Sequence, residues 1–180
     1  MHPKALMILC CAFIPLAQQT HASPVQGMTM EDLDNLSLGK PNDSDIILTQ
    51  NYVTSINDFR KGVPIKADNQ VILFAANRTR AHTEDPSLAP DHSSDPVLWR
   101  YLMVLGKQNC QPLQIYSSWS HKELTINQWI SGTPMIRTGL DDASATHFGA
   151  AKTLIPPLAR GQQGFPLFTI LVTARCSPHP

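Results

Sequence analysis

The chain has 180 residues, 15 of them proline and 9 glycine, is 42% hydrophobic and 16% charged, and carries no formal net charge. That length suits one globular domain, and the apolar fraction excludes a disordered chain. No stretch reaches the ~18 apolar residues of a membrane helix, and a neutral chain is no global nucleic-acid binder.

In chain order, Lys4 precedes an apolar run from Ala5 to Ala17, and a small-residue boundary follows at Ala22. These are the parts of a secretory signal peptide cut after Ala22. Export predicts a periplasmic or extracellular protein. It also leaves two cysteines, Cys110 and Cys176, which an oxidising compartment joins as a disulfide. Closing so long a loop is worth about 4 kcal/mol in the chain-entropy account.

Residues 23–45 are polar and turn-rich and read as a flexible lead-in, with one helix start at Thr29. Residues 46–180 read as a single β-rich domain. Val71-Ile-Leu-Phe-Ala-Ala76 has the continuous apolar character of a buried strand. A polar loop, Asn77–Asp95, follows it. Residues 96–105 fit both periods and are assigned as a strand, turning at Gly106 into a second strand over Leu113–Ser117.

Glu123–Ile130 and Met135–Thr138 read as weaker strands, and Asp141–Lys152 as a short helix with acids in its first turn. From Pro166 to Cys176, Phe168, Ile170, Val172, Ala174 and Cys176 alternate with Leu167, Thr169, Leu171, Thr173 and Arg175. That is a strand with one mostly buried face. Short strands with proline-bearing connectors predict a mainly β domain. The expected form is an antiparallel sandwich or barrel with one or two short helices and one disulfide.

Charge divides the chain. Glu31–Asp95 holds 11 acidic and 6 basic residues, and Pro96–Pro180 holds 3 acidic and 7 basic. The basic residues of the second half are spread singly, Arg137 among them, and form no nucleic-acid patch.

Catalytic and metal motifs are sparse. His82, Glu84, Asp85, Asp91, His92 and Asp95 supply ligand types without a known ligand spacing. Ser120-His121-Lys122-Glu123 brings three triad residue types together, but neighbours on a strand point to opposite faces. No Gly-x-Ser-x-Gly elbow and no phosphate-binding glycine loop occurs. No cofactor is expected.

The aromatic distribution is more telling. Trp99, Trp119 and Trp129 lie within 31 residues, with Tyr101 and Tyr116. Trp119 sits in Ser117-Ser118-Trp119-Ser120-His121, and a tryptophan flanked by serines offers a rigid contact face with an N–H donor. Trp119, Tyr116, His121 and Arg137 are the candidate binding residues.

The expected function is an exported, non-catalytic binding or assembly protein. It would be a surface, toxin-accessory or secretion- or pilus-apparatus subunit contacting a protein or a glycan. One alternative is a periplasmic inhibitor or immunity protein presenting Asn77–Asp95. The other is a small secreted hydrolase with His121 or His147 beside a buried carboxylate.

Overall fold

The computed structural model describes residues 40–84, 105–107, 110–154 and 167–177. Helix α1 spans Asp43–Asn57. Asn42 is its N-cap: its side chain accepts from the Asp45 N–H at 2.8 Å and donates to the Asp45 carboxylate at 2.6 Å. Asp45, Leu48, Thr49, Tyr52 and Ile56 are its buried stripe, at helical spacing.

A two-residue strand β1, Lys66–Ala67, leads into helix α2, Asn69–Glu84. Asp68 caps α2, accepting from the N–H groups of Gln70 and Val71 at 2.8 and 3.0 Å. Strand β2 spans Cys110–Ser120. Two short helices follow, α3 (Ile126–Gly132) and α4 (Pro134–Leu140). Strands β3 (His147–Leu154) and β4 (Leu167–Cys176) complete the order.

The four strands form one mixed sheet in the order β1-β3-β4-β2. β1 runs parallel to β3, while β4 pairs antiparallel with both β3 and β2. On one face α1, α3 and α4 bury Leu48, Tyr52, Ile56, Trp129 and Leu140 against Phe148, Ala150 and Leu171. On the other, Val71, Phe74 and Ala75 of α2 cover Ala151, Phe168, Ile170 and Val172. The architecture is therefore helix–sheet–helix, and the expected antiparallel sandwich or barrel is wrong.

The reason is two-sided burial. A sandwich leaves one face of each sheet to solvent, whereas β4 is buried on both faces from Leu167 to Ala174. Thr169, Leu171 and Thr173, expected on the open side, are buried as well, Leu171 in the cluster under α1, α3 and α4.

Four further assignments are corrected. Val71–Ala76 belongs to α2: six apolar residues cannot separate a buried strand from a buried helix turn, and Asp68 supplies the cap. The start of the expected loop, Asn77–Glu84, continues that helix. Glu123–Ile130 and Met135–Thr138 contain α3 and α4. Thr125 and Gln128 form a reciprocal capping box, and Pro134 stands at the start of α4. Asp141–Lys152 is a turn and then β3. The Asp142 carboxylate accepts from the Ser144 N–H at 2.8 Å, a local bond that competes with a helix start.

Strands over Leu113–Ser117 and Pro166–Cys176 agree with β2 and β4. Residues 105–107 are helical, and the strand expected over 96–104 lies outside the described residues, as do the signal peptide and most of the lead-in. Cys110 and Cys176 are bonded, as expected. They face each other in the β2–β4 register with Cα atoms 4.0 Å apart.

Two devices hold the layers together. Beyond β1, the free edge of β3 is met by side chains of α1. The Thr49 hydroxyl donates to the Ala150 carbonyl and accepts from the Ala150 N–H, and Asp45 accepts from the Lys152 N–H. Helix α1 thus closes an edge that would otherwise be open. The second device is Arg60, whose buried guanidinium donates to the carbonyls of Val63, Leu140, Asp142 and Ala145.

Candidate functional site

An open cleft of about 750 Å³ lies between β2 and α4. Gln114 and Tyr116 line it from β2, Arg137 and Gly139 from α4, and Asp141 and Asp142 from the turn after α4. Gln114 and Tyr116 are two residues apart on one strand and so share a face.

Gly139 sets the position of Tyr116. A Cβ at Gly139 would lie 1.7 Å from the Tyr116 hydroxyl oxygen, so the phenol rests directly on the α4 backbone. Burial raises the Tyr116 pKa above its ordinary value, and the negative charge of Asp142 adds to the effect. Asp142 itself stays ionised. Hydrogen bonds from the Ser144 backbone and side chain hold its carboxyl below the usual range, helped by the charges of Arg175 and Arg60.

Arg137 lies over the Phe59 ring, its guanidinium carbon 5.5 Å from the ring centroid. Met135, also on α4, is 78% exposed at the rim. The cleft therefore offers an aromatic hydroxyl, a guanidinium, two carboxylates, an amide and a flexible thioether. That mixture suits recognition of an amphoteric or polyhydroxylated surface.

The structure divides the four candidate binding residues. Tyr116 and Arg137, 21 positions apart, line the same cleft. Trp119 lies on the opposite face of the sheet, 46% exposed. Its ring centroid is 4.9 Å from that of Phe168 and 5.4 Å from that of His82. His82 in turn stacks on Phe168 at 4.3 Å. His121 is exposed just past the end of β2 and lines no part of the cleft.

Two constellations weighed in the sequence do not assemble. The Ser120 hydroxyl donates to the Lys122 carbonyl at 2.6 Å, and the Glu123 carboxylate pairs with Lys152. Among the described residues no three metal-ligating side chains converge, although Asp85–Asp95 lies outside them. His147, the other histidine considered for a hydrolase, meets the Thr146 hydroxyl at 2.8 Å. The buried Asp45 is occupied by Asn42 and the Lys152 N–H, and its burial raises its pKa.

Gly139, Asp141 and Asp142 were not among the candidate residues. The only trace of them in the sequence is Gly-Leu-Asp-Asp after a short helix, a pattern common to many turns. Among the described residues no helix is long and apolar enough to cross a membrane. Compared with protein-family models, with curated proteins and with solved structures, the chain matches none.

Proposed function

We propose that the protein is an exported binding or assembly protein that engages its partner in the cleft between β2 and α4. One observation carries this reading. Tyr116 and Arg137, distant in sequence, meet on one concave surface with an exposed methionine at its rim. A half-buried tyrosine with exposed arginine and methionine side chains at a concavity is the composition of a contact surface. The Cys110–Cys176 bond supports an oxidising compartment, and the Lys4-to-Ala22 segment supports export.

The test places a photo-crosslinking amino acid at Met135 or, as a control on α1, at Ile47, which is 57% exposed. Illumination in the native envelope is expected to give a discrete adduct from position 135 alone. Arg137→Ala should weaken that adduct about tenfold. Identical adducts from both positions, or none from 135, overturn the cleft as the contact site. Sequencing the N-terminus of the envelope protein checks export separately: it should begin at Ser23.

A further inference from the structure

Two opposite charges of the cleft stand side by side without pairing. Arg137 and Asp141 are one helical turn apart at the end of α4, and the Asp141 N–H donates to the Arg137 carbonyl at 2.9 Å. Side chains at that spacing are neighbours, with Cβ atoms about 5–6 Å apart. Among the described residues, nevertheless, no ion pair joins them.

Each charge is held by a different neighbour. The Arg137 guanidinium lies over the Phe59 ring, and the Asp141 carboxylate accepts from the Lys61 N–H at a long 3.4 Å. Phe59 and Lys61 flank Arg60, whose guanidinium is bound to the carbonyls of Leu140, Asp142 and Ala145. One anchored segment after α1 therefore holds both charges. Asp142 is answered within the protein: its carboxylate accepts from the Ser144 N–H at 2.8 Å, with Arg175 and Arg60 supplying positive charge.

We propose that the β2–α4 cleft binds a zwitterion of the amino-acid class, its carboxylate on Arg137 and its ammonium on Asp141. The inference rests on the cleft being the contact site and names the class of ligand. A guanidinium over a ring keeps its in-plane N–H fork for a carboxylate. A purely cationic ligand would meet Arg137, and a purely anionic one the two aspartates. A neutral sugar would cover both charges and neutralise neither. An ammonium and a carboxylate on one molecule answer both. Half-buried Tyr116 and exposed Met135 leave apolar surface for the ligand's side chain, and about 750 Å³ is the size of a small-molecule site.

The probes are free amino acids and dipeptides, titrated calorimetrically into the full oxidised protein. The best binder is expected to lose about tenfold in affinity when its amine is acetylated, and about tenfold when its carboxylate is amidated. The decisive measurement crosses these caps with two substitutions. Arg137→Gln should weaken the free ligand about tenfold and abolish the effect of amidation alone. Asp141→Asn should do the same and abolish the effect of acetylation alone. Binding by amino acids identifies a free solute, and binding by dipeptides alone identifies the ends of a short peptide; both support the inference.

Failure of every probe to bind at millimolar concentration overturns it, as does binding that neither cap weakens. Binding that the caps weaken equally in wild type and both variants places the ligand elsewhere and overturns it too. In each of those cases the cleft reading stands if position 135 crosslinks a partner in the envelope and falls if it does not.

Discussion

Gly149 offers the sharpest check on the packing of the two helical layers. A Cβ added there would lie 2.4 Å from the Ile72 nitrogen and the Val71 carbonyl carbon, and 2.6 Å from the Val71 oxygen. Ordinary contact between such atoms is ~3.5 Å or more, so Gly149→Ala must separate α2 from β3 by about 1 Å. Both sides of the contact are backbone, and no side chain can swing away. Overpacking usually costs about 1–3 kcal/mol, and this site belongs at the upper end, ~3 kcal/mol.

At roughly 2–4 °C per kcal/mol for a chain of this size, Tm should fall by about 6–12 °C. The assay is thermal unfolding of the oxidised protein, followed by circular dichroism. Gly139→Ala is the companion. Its nearest obstacle is the Tyr116 hydroxyl, the mobile end of a side chain, so its cost should stay under ~1 kcal/mol. A Gly149→Ala protein melting within about 2 °C of the wild type would refute the close approach of α2 to β3.

Thr49→Val should cost about 2–4 kcal/mol, because it strands the N–H and C=O of Ala150 in a buried edge; Thr49→Ser should restore most of it, and equal urea midpoints for the two variants contradict the edge closure. Burial pushes the Tyr52 pKa from 10.0 up to about 12, with the Trp129 indole opposing and the Glu123 charge adding. A folded value above the unfolded one means that this stabilisation is full below pH 10 and is lost as pH rises through 12. The urea midpoints of wild type and Tyr52→Phe should therefore converge across that window, and a constant gap contradicts the assignment. Alkylation of the unreduced, denatured protein should label neither Cys110 nor Cys176, and reduction should cost about 4 kcal/mol. Trp119→Ala uncovers Phe168 and should cost about 1–2 kcal/mol in thermal unfolding while leaving crosslinking from position 135 unchanged; loss of the adduct in a folded variant would return Trp119 to the binding site.

Local signals were readable wherever one residue type has one use. The disulfide pair followed from cysteine arithmetic and the expected compartment, and β4 from its alternation and β-branched residues. The capping box at Thr125 and Gln128 and the proline at position 134 were also present in the sequence. Their helices have only seven residues each, with two buried positions apiece, too few to show a helical period.

The site was half legible. Aromatic character singled out Tyr116 and Trp119 alike, but strand alternation sends them to opposite faces. Tyr116 lines the cleft against α4, whereas Trp119 packs on Phe168.

By itself, then, the sequence determined the covalent staple and strand β4, because each depends on chemistry within a few positions or on a count. Tertiary structure decided the rest. A short apolar run satisfies a strand or a helix equally until a partner layer exists, and Val71–Ala76 becomes a helix because Gly149 lets it lie against the sheet. Likewise Thr49 and Asp45, ordinary polar residues in the sequence, become edge closures only when α1 is laid along β3. Arg137 lines the same cleft as Tyr116 only because α4 packs beside β2, with Gly139 against the Tyr116 hydroxyl. Contacts between residues tens of positions apart are set by which faces bury together, and that choice belongs to the whole chain.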